Sequence, residues 1–95
     1  MENPQLQLFA VHKVQKMADK RTIENAFKAI DWIVDVTREK PTLGKQGSYH
    51  VDFHGNGDDR CVEVAQKLQD TGDFYCNNDW RSQIYNGNLE LIDRM

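Results

Sequence analysis

The sequence predicts an α+β domain in which helices pack against a small, mainly antiparallel four-stranded sheet. Three observations lead there. Apolar residues recur at helical spacing over much of the first 40 positions. The stretch SYHVDFH (48–54) alternates apolar and polar side chains without a break. Asn86-Gly87 lies between two alternating runs, the signature of a type I′ hairpin.

Taken in order, residues 1–5 are expected to be frayed and Leu6 to Asp19 helical. Ala10, Val11, Val14, Met17 and Ala18 share one face, and Lys13, Lys16 and Lys20 another. Thr22 suits the N-cap of a second helix, about 22–40. Ile23, Phe27, Ile30 and Val34 form its central stripe. Ala26, Ala29, Trp32, Ile33 and Val36 widen the apolar arc past half the circumference. An ordinary surface helix buries a stripe of about 100°. The surplus predicts cover by a second chain, hence a homodimer. Pro41 stops the helix, and LGKQG forms a loop.

A strand over 48–54 follows, with Tyr49, Val51 and Phe53 on one face and Ser48, His50, Asp52 and His54 on the other. In GNGDD the chain turns, and Asn56 or Asp58 caps a third helix at 59–70 with Cys61, Val64, Ala65 and Leu68 inward. Gly72 suits its left-handed C′ position. A second strand spans 73–77. The last two pair through Asn86-Gly87, with Ile84, Leu89 and Leu91 on one face. The expected order is α-α-β-α-β-β-β. With no linker, repeat or low-complexity tract, residues 1–95 are expected to form a single domain.

Composition narrows the function classes. No apolar run approaches the roughly 18 residues of a membrane span. The opening MENPQLQLFAVHK lacks a signal-peptide pattern, so a cytoplasmic protein is expected. Two cysteines make no disulfide framework, and free thiols are expected. Residues 1–47 carry eight Lys/Arg against six Asp/Glu (+2), and residues 48–95 four against nine (−5), giving the net −3.

Four groups of residues could carry function. His50, Asp52 and His54 fall at i, i+2 and i+4 on one strand face and offer two imidazoles and a carboxylate for Zn²⁺ or acid–base hydrolysis. Such positions converge poorly on one ion unless the strand curls, and a polar row is also what the wet face of a sheet presents. Lys13, Lys16 and Lys20 could follow a nucleic-acid backbone, although no aromatic interleaving accompanies them. HGNGDDRC resembles a phosphate loop only loosely, since Asp58 and Asp59 occupy the place of the anion. Trp32, Val36, Tyr75, Trp80, Arg81 and Tyr85 supply the residue types that dominate protein interfaces.

No complete active-site motif is present. The sequence therefore favours a small cytoplasmic binding or regulatory protein without catalysis or cofactor. It would contact itself as a homodimer and a larger protein, as small inhibitors and adaptors of bacteria and phages do. A metal or hydrolytic protein built on His50, Asp52 and His54 is the first alternative. A nucleic-acid binder using Lys13, Lys16 and Lys20 is the second.

Overall fold

The computed structural model describes residues 19–94. The predicted helix over 6–19 lies outside that range but for Asp19, as do Lys13 and Lys16. Helix α1 (Lys20–Lys28) opens on a capping box in which the Thr22 backbone N–H donates to Asp19 Oδ1 at 3.2 Å and the Asp19 N–H to Thr22 Oγ1 at 3.3 Å. The cap is therefore Asp19, three residues before the Thr22 that the sequence suggested. Ile23 and Phe27, four apart, bury the inward face.

The predicted helix over 22–40 is corrected here: it ends at Lys28. Asp31 takes a left-handed conformation (φ 59°). The Trp32 N–H returns to the Phe27 carbonyl at 3.1 Å and the Asp31 N–H to that of Lys28 at 2.9 Å. These are the paired bonds of a Schellman stop. Beyond it, IVDVT is rich in β-branched residues and alternates: Val34 and Val36 are buried, Ile33, Asp35 and Thr37 exposed. Strand β1 (Asp35–Glu39) occupies what looked like the helix's second half. The overwide apolar arc was a helical stripe joined to a strand's alternation, so it gives no ground for a covering chain.

Strand β2 (Ser48–Asp52) pairs antiparallel with β1, Val36 opposite Val51. Helix α2 (Asp59–Asp70) has the predicted bounds, and its inward Cys61, Val64, Ala65 and Leu68 are all buried. Asp58 caps it by accepting the N–H groups of Arg60 and Cys61 at 2.9 and 3.3 Å. Gly72 turns the chain at φ 88° into β3 (Phe74–Cys76).

The predicted Asn86-Gly87 hairpin is also corrected. Residues before it form a short helix, α3 (Trp80–Tyr85), and only those after it a strand, β4 (Asn88–Asp93). Gly87 supplies the positive φ (95°) that ends α3, its N–H bonded to the Ile84 carbonyl at 2.9 Å. Trp80 and Ile84 fall on the inward side of that turn of helix. The predicted facing set survives the change, because Ile84, Leu89 and Leu91 are each fully buried.

Among the described residues the elements run α1-β1-β2-α2-β3-α3-β4, three helices and an antiparallel sheet of order β1-β2-β4-β3, and the fold is α+β as predicted. Val36, Tyr49, Val51, Leu89, Leu91 and Phe74 form the inner face, beneath the helices. Edge-to-face rings lock it at Phe27–Phe53 (5.2 Å) and Tyr49–Phe74 (5.5 Å). Arg38 closes one margin, paired with Asp93 at 2.7 Å and lying over the Tyr49 ring. No helix among the described residues is long and apolar enough to cross a membrane.

The loop from β2 to α2 crosses α3 at Gly57, whose N–H donates to the Ile84 carbonyl at 2.8 Å. A Cβ there would lie 2.6 Å from Ile84 Cγ2 and 2.9 Å from the Ile84 carbonyl oxygen. Gly57→Ala is expected to cost about 1–3 kcal/mol. Guanidinium unfolding should show a lower midpoint at unchanged m-value.

Candidate protein-docking surface

Antiparallel pairing collects the loops at two ends of the sheet. The start of β1, the end of β2, the start of β4, the start of α2 and the end of α3 share one, the loop end. The β1–β2 hairpin (residues 40–47) and the start of α1 share the other, the hairpin end.

The HxDxH residues separate at the loop end. His50 is exposed on the outer sheet face between Thr37 and Glu90. Asp52, also exposed, ends β2 by accepting the His54 N–H on Oδ1 at 2.9 Å, an Asx turn. His54 consequently leaves the strand with φ 59° and sets its Nε2 2.8 Å from Asp35 Oδ2 on β1. It faces a carboxylate of the neighbouring strand instead of His50. Among the described residues no group of three His, Cys, Asp or Glu side chains converges as metal ligands would.

The interface candidates also divide. Val36 and Trp80 are core residues, and Arg81 lies over the Trp80 ring at 4.6 Å. Tyr75 is half-buried; its hydroxyl donates to Gln46 Oε1, and Arg94 lies 5.6 Å from its ring centroid. Lys20 is exposed at the start of α1, at the hairpin end. Trp32 and Tyr85 remain, and the start of α2 links them. The Arg60 guanidinium lies 5.4 Å from the Trp32 ring centroid and forks onto Asp58 Oδ2 through Nε (3.2 Å) and Nη2 (3.1 Å). Asp59 accepts the Tyr85 hydroxyl. Gly57, Asp58, Asp59, Arg60 and Tyr85 line a shallow depression of about 300 Å³.

Sequence reasoning missed Arg60 and Asp59 as surface residues, because GNGDDR reads locally as a turn and a cap. No local pattern joins Trp32 to residue 60. The stop at Asp31 and the antiparallel sheet bring them together.

Electrostatics sets the character of the patch. The Tyr85 phenol is pushed up, first by its hydrogen bond to the Asp59 carboxylate, then by desolvation and by the charges of Asp59 and Asp58. It stays a neutral donor at physiological pH. Asp58 is held below the ordinary carboxylate range: desolvation opposes this but is outweighed by the Arg60 side chain and the Cys61 and Arg60 N–H groups. Both cysteines are free. Burial raises the Cys61 thiol and pushes Cys76 up to about 11, so neither is an activated nucleophile.

No family model, no characterised protein and no solved structure matches the chain.

Two outcomes are expected. The cap carboxylate of Asp58 has its folded pKa below the unfolded one, so its stabilising contribution is present at neutral pH and lost as pH falls through the folded value. Acid unfolding followed by circular dichroism should therefore show the wild type losing stability relative to Asp58→Asn below the ordinary carboxylate pKa. For Cys76 at pH 8, a pKa of about 11 leaves about one thiol in a thousand ionised. Alkylation of the native protein should be slow, rising to two equivalents on unfolding.

Proposed function

We propose that the protein is a small cytoplasmic, non-catalytic binding protein of the inhibitor or adaptor type, acting by contact of its loop end with a larger protein. One observation carries the reading. Arg60 and Tyr85 line one depression and the Arg60 guanidinium reaches over the adjoining Trp32 ring, so the three residue types that most often dominate binding energy lie side by side. Each is held before a partner arrives: Arg60 by Asp58, Tyr85 by Asp59, and Trp32 by packing against the core. Side chains ordered in advance lose less entropy on binding. The depression is shallow, which suits a protein surface better than an enclosed small ligand.

The test is affinity capture from the native host lysate, with immobilised wild type, Tyr85→Ala, Arg60→Ala and, as an outer-face control, His50→Ala. A specific protein is expected to be retained by the wild type and by His50→Ala. Tyr85→Ala and Arg60→Ala should each weaken its binding about tenfold or more, as truncation of a central interface residue does. Capture unaffected by the Tyr85 and Arg60 changes overturns the proposal.

A further inference from the structure

The two ends of the sheet differ in charge and in shape. At the hairpin end Lys20, Arg21, Lys40, Lys45 and Arg94 are exposed, against the exposed carboxylates of Asp19, Glu39 and Asp73. At the loop end Asp31, Asp35, Asp52 and Asp59 are exposed and Asp58 is half-exposed, against the exposed cations Lys28 and Arg60. Local ion pairing does not even this out. Arg60 is committed to Asp58, while Asp59 engages only the neutral Tyr85 phenol in the contacts just described.

Shape follows charge. Leu43, at the tip of the β1–β2 hairpin, is exposed to 104% of its reference area, the most exposed large apolar side chain among the described residues. It is held out by a tight turn. Thr42 and Lys45 exchange backbone hydrogen bonds at 3.1 and 2.9 Å, and Gly44 supplies the φ of 76° that the turn requires. The tip is thus an aliphatic knob beside two ammonium groups, Lys40 and Lys45. The depression at the opposite end is lined by Gly57 and Tyr85 beside the Asp58–Arg60 ion pair, and Asp59 is its one carboxylate without a cation partner in the contacts above.

We infer that the hairpin tip of one copy seats in the loop-end depression of a second copy, Leu43 against Tyr85 and Lys40 and Lys45 toward Asp58 and Asp59. This rests on the reading of the loop end as a protein-binding surface and names one occupant of it. Knob and seat lie at opposite ends of one chain, and we take the copies to meet end on. Joined in that way they associate head to tail into open chains or a ring. A contact the size of one hairpin tip is weak. The assembly therefore depends on protein concentration and, being partly ionic, on salt.

The test is sedimentation velocity on the full chain up to about 1 mM, where so small a contact is populated. The weight-average sedimentation coefficient of the wild type should rise with concentration and fall back in high salt. Lys40→Ser/Lys45→Ser removes the knob's charge and keeps the seat. Asp59→Lys reverses the seat and keeps the knob, and Asp58 still caps α2. Each variant alone should associate at least tenfold more weakly. Mixed, they should form a 1:1 pair and nothing larger, since only one intact knob meets one intact seat. Leu43→Ser, which leaves every charge in place, should lose association too. Circular dichroism matching the wild type ensures that a loss is not unfolding.

A wild type that stays monomeric throughout, association untouched by these changes, or variants that fail to pair when mixed each overturn the inference. A monomeric chain whose capture of another protein still depends on Tyr85 would sink head-to-tail association alone. Pairing of the two variants without any such capture would instead remove the larger partner.

Discussion

A single left-handed residue decides what this chain becomes. At Asp31 two backbone hydrogen bonds fold back onto the last turn of α1 and release the next residues from the helix. The β-branched run that follows is then free to alternate. Val34 and Val36 enter the core, and β1 joins β2. Were the helix to continue to residue 40, the sheet would lose a strand and Val51 and Phe53 part of their cover. The stop also sets Trp32 at the rim, where Arg60 meets it. Fold and candidate surface share that one backbone turn.

The second organising feature is one-sidedness. The three described helices lie on the inner sheet face, and the outer face carries a polar row of Thr37, His50 and Glu90. The three residues that resembled a ligand set do not converge, since the third, His54, turns away to Asp35. The two ends of the sheet are the more distinctive surfaces. There the turns hold side chains in fixed places, and the balance of charge differs, with cations in excess at one end and carboxylates at the other.

Much of this was legible in the residues. Helix α2 could be bounded because Asp58, four inward apolar residues and Gly72 mark its start, face and end together. The alternation of 48–52 and the burial of Ile84, Leu89 and Leu91 were equally plain. The two misassignments share a cause. Phe27, Ile30 and Val34 fit a helical stripe, while Val34 and Val36 fit a strand; period alone could not place the change between them. Asn86-Gly87 offers a positive φ that serves a hairpin or a helix end equally well, and packing of Trp80 and Ile84 beneath the sheet chose the latter. The docking surface was legible only in part. Trp32 and Tyr85 stood out by type, but Arg60 gains meaning only from a topology that no local pattern encodes.

Strand β1 carries one more consequence. Its outer rim has no neighbouring strand among the described residues, which makes it a template for another chain's backbone. Two copies stitched antiparallel about Thr37 would set Asp35 of each against Glu39 of the other, twice placing like charges face to face across the seam. The border is defended by its own carboxylates, so lateral growth of the sheet is disfavoured where an unguarded ribbon would invite it.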